Sequence, residues 1–526
     1  MTREFETNRF CATEAGRAGR ALGHFDVCVR GNNVTHSDQF FPPSGPAETA
    51  RHFLSRTRKG EMDLVERPPT PDSSRVTICA RETTDAARRA QLRGALVLGA
   101  DCATALGERI EKLLKDVFSG SVPPAAAPVV ADLRATERLA IDYGNAGDLA
   151  DKATKAQRVL KAEAPGAWKA LRAQGIFRGH GPAGKVAFLY SGQGSQYVNM
   201  LRTLRDAELI VDATFAEADR VMKPLLGQAL SDILYVDASD ADAVAKAERD
   251  LLDTAVMQPA VLAADIALTR LLAEYGISAD MTMGHSLGEY AALVAAGALR
   301  FDEALETVAA RGQEAARVQI EDHGKMAAVF APVGDVERIL KMVDGYVQIA
   351  NLNSNRQAVI GGASSAVEQA ADLFVAAGYD TVSLPVSHAF HTSVVAPLTD
   401  PLSSLLRHMH LQSPRVPVVG NLHGEFYPMG PDCVPEIMEI LSRQMASPVQ
   451  FVRGLRTLYD AGARVFIEVG PKKALQGFAE DVLGGESDVV SLFTNHPKFD
   501  DIVAFNQALC GLYAAGIGDR LPGALD

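Results

Sequence analysis

Cysteine is scarce and scattered. Six thiols (Cys11, Cys28, Cys79, Cys102, Cys433 and Cys510) are spread over 526 residues with no CxxC pair. That spacing argues against a disulfide framework or a zinc site and fits reduced thiols in a cytoplasm. No uninterrupted apolar run reaches the ~20 residues of a membrane-spanning helix, and the opening MTREFETNRF is polar, without an apolar signal core. Basic charge is also in short supply. With 52 Lys and Arg against 65 Asp and Glu, the net charge is −13, which argues against nucleic acid or an anionic membrane as a partner. A local basic patch for an anionic substrate is compatible with that sum. The expectation is a cytoplasmic protein that binds neither nucleic acid nor membrane.

What is present is globular in texture: 47% hydrophobic and 22% charged residues, in a chain long enough for two to four domains. Residues 1–75 are Pro/Ser-rich in places (FFPPSGPAETARHF, ERPPTPDSSR) and read as an irregular N-terminal region. Residues 76–184 read as an accessory or linker domain of α/β type. Its strands are RVTICAR and ALVLGAD, its amphipathic helix is ATALGERIEKLLKDVF (103–118), and two further helices lie within 147–176. From GKVAFLYSGQGSQ onward, strands and helices alternate, which predicts a mostly parallel α/β sheet over 185–324 and 387–495. The pieces read there include RVPVVGN (415–421) and RVFIEVGP (464–471). Residues 325–386 follow another grammar, β-α-β-β-α-β, the ferredoxin-like order, and are expected to form an inserted small subdomain. Residues 496–526 are left as a C-terminal tail.

The chemistry concentrates at Gly284-His285-Ser286-Leu287-Gly288, between the strand ADMTMGHS and the helix LGEYAALVAAGAL. With 44 glycines in the chain, roughly one such chain in five would carry G-x-S-x-G by accident. Placement between strand and helix is what makes it a nucleophile elbow, with Ser286 pushed out at the top of the sheet. The Leu287 N–H then points to where an oxyanion would form, helped by the positive end of the following helix. A serine needs a base, and LPVSHAFHTSVV offers both His388 and His391. Their i, i+3 spacing suits metal ligands too, but no acidic or cysteine partner stands nearby, so no metal is expected. Gly192-Gln193-Gly194 fails as a phosphate loop: Tyr197 stands where a dinucleotide fingerprint wants glycine, and no GK[ST] follows. The Gln193 backbone serves better as a second oxyanion donor. Arg311, 25 residues past the serine, is either a solvated helix charge or, if turned inward, a fork suited to a carboxylate.

In order along the chain stand FLYSGQGSQ, GHSLGEYAALVAAGAL, Arg311, NLNSNRQAVIGG, HAFH, NLHGEFYP, ASPVQFVRGL and EVGPKKALQGF. Together, over roughly 184–495, they resemble the malonyl-CoA:acyl-carrier-protein acyltransferases of fatty-acid and polyketide synthases. LYSGQGSQYVNM and the ending LFTNHPKFDDIVAFNQALCGLYAAGIG look most like polyunsaturated-fatty-acid-type and iterative synthases, and 76–184 resembles the linker before such domains. The resemblance implies an α/β-hydrolase-like large subdomain with an inserted ferredoxin-like small one, plus the N-terminal linker domain. It implies Ser286 as nucleophile, His391 as base, Gln193 and Leu287 as the oxyanion pair, and Arg311 as binder of the malonyl carboxylate. In place of a triad acid it implies the backbone carbonyl of Gln444. It puts His388 and Phe390 where the extender unit is chosen, HAFH usually accompanying malonyl.

Two positions depart from the family pattern: Ala315 where methionine is frequent, which puts fine selectivity in doubt, and Thr392 where serine is frequent. The resemblance implies malonyl-CoA and a phosphopantetheinylated acyl carrier protein as partners, with other synthase components, and no cofactor. The initial Met and the absence of a ketosynthase suggest a freestanding chain. Rival readings are an acyl hydrolase that clears stalled carrier proteins, and a non-catalytic docking module.

Overall fold

The computed structural model describes residues 62–63, 77–78, 89–162, 165–317 and 320–520. The chain divides into two compact units, Met1–Ala86 and Ala87–Asp526. In the first, Met62–Asp63 pairs antiparallel with Thr77–Ile78; the rest of the expected irregular region 1–75, and of the strand RVTICAR, lies outside the described residues.

The second unit opens with a three-stranded antiparallel sheet, Gly94–Ala100, Glu137–Tyr143 and Ile176–His180, with the middle strand in the centre. The helix Ala103–Phe118 has the bounds expected from its apolar spacing and buries Leu106, Ile110, Leu113, Leu114 and Val117. A second helix, Ala146–Lys161, is started by the Asn145 side chain, which accepts the Asp148 N–H. Strands Glu137–Tyr143 and Ile176–His180 were not anticipated. ERLAIDY is buried at every position, so it shows no alternation, and its charges are neutralised from far away. Asp142, for example, is held by Arg93, Lys152 and Asn506.

The expected C-terminal tail is instead a structural element. Asp501–Ala514 is a helix buried on nearly all sides, and Asn506 Nδ2 donates to Gly94 O at 3.0 Å and to Asp142 Oδ1 at 2.7 Å. Its apolar residues surround the whole helix instead of forming a stripe, as in helices sunk in a core.

The main sheet is parallel and five-stranded, in the order Val418–Val419, Met281–Gly284, Lys185–Tyr190, Ala463–Val469, Val490–Phe493. Its central strands are buried on both faces, as parallel strands covered by helices must be. Of the strand expected at 415–421 only Val418–Val419 pairs. The helix Thr254–Glu274 is long and apolar enough to cross a membrane, yet 89% of its apolar window is buried inside the protein. It is the core helix behind the sheet.

Between 325 and 383 lies a four-stranded antiparallel sheet, ordered Thr381–Ser383, Lys325–Val329, Ala358–Gly362, Val347–Leu352. Helices Val333–Leu340 and Ser364–Ala376 cover it, giving the β-α-β-β-α-β order read from the sequence. It has a core of its own, built on Val329, Val336, Ile339, Ile360, Val367 and Phe374.

Candidate active site

Strand Met281–Gly284 ends two residues before Ser286, and helix Gly288–Ala295 begins two residues after it. The turn between them is so tight that Ser286 takes a left-handed φ of 53°, a strain of order 1–3 kcal/mol for a non-glycine residue. Glycine flanks are obligatory here. A Cβ on Gly284 would sit 1.9 Å from the Gly288 carbonyl carbon, and one on Gly288 would sit 2.2 Å from Tyr190 O. The glycine-rich turn after Lys185–Tyr190 comes against the same elbow: a Cβ on Gly192 would fall 2.3 Å from His285 O.

Of the two candidate histidines, it is His391 that meets the serine. Its Nε2 lies 2.7 Å from Ser286 Oγ. Its Nδ1 lies 3.1 Å from Gln444 O and 3.1 Å from Ser447 O. Both of these are acceptors, so Nδ1 carries the ring proton and Nε2 turns its lone pair toward the hydroxyl. Burial pushes the His391 pKa down to about 3, the Arg311 charge adds to that, and the two carbonyls resist it. The imidazole is therefore neutral across the working pH range.

His388 is not placed at the cavity. Its ring stacks on His323 at 4.4 Å, and it is absent from the residues that line the space in front of Ser286. Phe390 does line that space, a cavity of about 260 Å³ shared by Gln193, Gln258, Ser286, Arg311, Met326 and His391 among others. Ala315 is buried in one apolar cluster with Met326 and Phe390; those two line the cavity, and Ala315 is not among its lining residues.

Arg311 is turned inward and is only 3% exposed. Nη1 donates to Gln258 Oε1 at 3.0 Å, the guanidinium lies over the Tyr290 ring, and the buried Nε has no partner. Among the described residues no carboxylate forms an ion pair with it. Burial works against its charge, yet arginine stays protonated, so an unpaired cation faces the Ser–His pair. The N–H groups of Gln193 and Leu287 bond no protein acceptor among the described residues.

Two further residues, Asn421 and Glu289, and the side-chain role of Gln444 were not anticipated from the sequence. Asn421 Oδ1 accepts the Ser286 N–H at 2.6 Å, and its Nδ2 donates to Gly284 O at 2.7 Å. The Gln444 side chain donates to Ser286 O at 2.8 Å and to Glu289 Oε2 at 3.0 Å. Burial raises the Glu289 pKa to about 7 against hydrogen bonds from Tyr427, Asn421 and Gln444. Glu289 directly follows the elbow motif, where only its proximity to Ser286 could have drawn notice; Asn421 lies 135 residues from the serine. Among the described residues no group of three or more His, Cys, Asp or Glu is placed to hold a metal ion.

A parallel α/β sheet with a strained serine on a strand-to-helix turn, hydrogen-bonded to a neutral imidazole, defines an enzyme of the nucleophile-elbow kind. The acyl transferase domain family matches residues 187–509, and the chain belongs to it. It is similar to the malonyl CoA-acyl carrier protein transacylase of Bacillus subtilis (strain 168), 35% identical over 305 residues, 57% of this chain and 90% of that protein. It is also similar to the spectinabilin polyketide synthase system protein NorB of Streptomyces orinoci, 35% identical over 311 residues, 59% of this chain. The chain spans only 14% of the length of that synthase protein. Among solved structures, the acyltransferase domain from the second module of the salinomycin polyketide synthase superposes with a TM-score of 0.60 at 28% identity. That likeness covers 82% of this chain and 95% of the other.

Proposed function

We propose that this chain moves a malonyl group from coenzyme A, through an ester on Ser286, to the phosphopantetheine thiol of an acyl carrier protein in polyketide or fatty-acid synthesis. The observation that carries the reading is Arg311: a buried guanidinium that forms no ion pair among the described residues, lining the same cavity as Ser286 and His391. A malonyl carboxylate supplies the missing charge, and charge-assisted hydrogen bonds of this kind contribute about 1.5–3 kcal/mol. A clearing hydrolase of neutral acyl groups has no use for that cation.

The cycle follows from the proton inventory. His391 Nε2 takes the Ser286 proton as Oγ attacks the thioester carbonyl. The oxyanion is held by the Gln193 and Leu287 N–H groups. As it collapses, the carbon–sulfur bond breaks and the coenzyme A sulfur leaves with the proton from His391. The carrier's thiol then gives its proton to His391 and attacks the acyl-serine, and Oγ recovers the proton as it leaves. Gln444 O, with Ser447 O, keeps the ring in the required tautomer. Phe390 crowds the substrate's α-carbon, so an added methyl is disfavoured by about 1–3 kcal/mol.

In this reading the five-stranded region is an α/β-hydrolase-like large subdomain over 185–324 and 387–495, and 325–386 is its ferredoxin-like insertion. Residues 76–184 serve as the linker domain, and the chain works in the cytoplasm beside other synthase components. The test is radiolabelled malonyl-CoA with wild-type and Ser286→Ala protein. A stable label on the wild type alone supports transfer. No label on either leaves only a docking module, and label shed rapidly as free malonate makes the chain a hydrolase.

A further inference from the structure

Glu289 is fully buried one turn beyond the serine; it makes no direct ion pair among the described residues, although the nearby Arg311 charge favours its ionised form. An unpaired buried carboxyl is costly, yet every group that meets this one is a donor. Oε1 accepts the Asn421 N–H at 3.2 Å and the Tyr427 hydroxyl, and Oε2 accepts Gln444 Nε2 at 3.0 Å. The donors lead back to one place. Asn421 Oδ1 holds the Ser286 N–H and Gln444 Nε2 holds Ser286 O; the Glu289 N–H reaches the same carbonyl at 3.1 Å. Both ends of the strained serine residue are thus tied to groups that the carboxyl anchors. Gln444 adds the other half of the pair, because its main-chain oxygen accepts His391 Nδ1.

We infer that Glu289 is a positioning residue, a hub whose carboxyl, by accepting from Gln444, Asn421 and Tyr427, fixes Ser286 and His391 relative to each other through Gln444 and Asn421. The inference rests on the Ser286–His391 reading above. Glutamine cannot replace the hub although it has the same shape. Its NH2 would face either the Gln444 amide or the Asn421 N–H, donor against donor. Tyr427 can turn its hydroxyl to accept. Gln444 can flip only by presenting its oxygen to the Ser286 carbonyl.

The test measures the rate at which a fluorophosphonate labels Ser286 in the full chain. In that step Oγ bonds phosphorus, fluoride leaves and His391 takes the proton, so no acyl substrate is involved. Glu289→Gln and Gln444→Met are each expected to slow labelling on the order of a hundredfold, the cost of misplacing reacting atoms by about an ångström. Because both act through one network, the double variant should be slower than the slower single by no more than about threefold. The KM for malonyl-CoA should stay within about twofold, since Arg311 and the cavity wall are untouched. Wild-type labelling rates in the single variants, or losses that multiply in the double, overturn the inference. Should Glu289→Gln not fold, Gln444→Met alone decides: a wild-type rate refutes the hub. A wild type that does not label at Ser286 refutes the Ser–His pair itself and the inference with it, which keeps the two failures apart.

Discussion

Ser286 stands at the end of a strand hydrogen-bonded on both sides within the parallel sheet, whereas His391 stands on a loop that has left the antiparallel sheet and has no strand of its own. The serine is located by covalent neighbours: glycines that cannot be replaced without collision, and a helix that starts at once. The histidine is located by borrowed groups. Its N–H donates to Met445 O at 2.7 Å, its carbonyl accepts Gln348 Nε2 at 3.1 Å, and its ring leans on two carbonyls from 444–447. Met445 follows the helix Val434–Gln444, outside the inserted sheet, and Gln348 belongs to the antiparallel sheet. Ser286 and His391 both carry left-handed φ, 53° and 62°, so each region uses backbone strain to aim its side chain. The placement of Ser286 is a property of one local turn, and that of His391 is a property of how two regions meet.

The largest effect expected on that contrast comes from deleting the borrowed partner. His391→Ala should lower malonyl transfer by about 10⁴-fold or more, measured as steady-state turnover, with the serine turn itself left intact. Arg311→Ala should cost malonyl transfer on the order of 10–100-fold, the worth of charge-assisted bonds, while acetyl transfer rises. Equal loss of both acyl groups would remove the arginine from substrate selection.

The pH profile separates the two regions further. A base whose pKa is pushed down to about 3 loses its free lone pair only as pH falls through that value. His391 should therefore give the kcat/KM profile no acid limb near the ordinary histidine value of ~6.5; the limb expected in that range belongs to Glu289, at about 7, whose protonation disturbs its bonds to Gln444 and Asn421. Arg311→Ala removes a repelling charge, so any acid limb should move upward. A limb near ~6.5 that persists in Glu289→Gln would mean that His391 titrates as an ordinary histidine and that its burial does not depress it. The smallest effect is Gln348→Ala, which deletes one hydrogen bond across the junction: about 1 kcal/mol, or roughly fivefold in kcat. No change there would show that the antiparallel sheet is dispensable for aiming the base.

The same contrast explains what could be read in advance. The serine turn is legible because its requirements are local: glycine, small residues and a strand-to-helix change within eight positions. Helix Ala103–Phe118 was legible for the same reason, its apolar stripe being complete within itself. Spacing left His388 and His391 equivalent; only the family resemblance singled out His391, and the stacking of His388 on His323 is a tertiary fact. Asn421 and the Gln444 side chain were invisible because their bonds to the serine span 135 and 158 residues. Strand Glu137–Tyr143 was hidden by charges whose partners lie elsewhere, and the helix Asp501–Ala514 by lacking the polar face that marks an ordinary surface helix.

That last helix governs the order in which the protein can be made. Asn506 caps a carbonyl on Gly94, 412 positions earlier, and the helix covers the three-stranded sheet to which that carbonyl belongs. During translation those early strands emerge first and then wait, one side bare, until residues near 514 clear the ribosome. Chaperone occupancy of nascent chains should therefore persist on the first-made sheet long after its own strands have been synthesised, and end only when the closing helix is released.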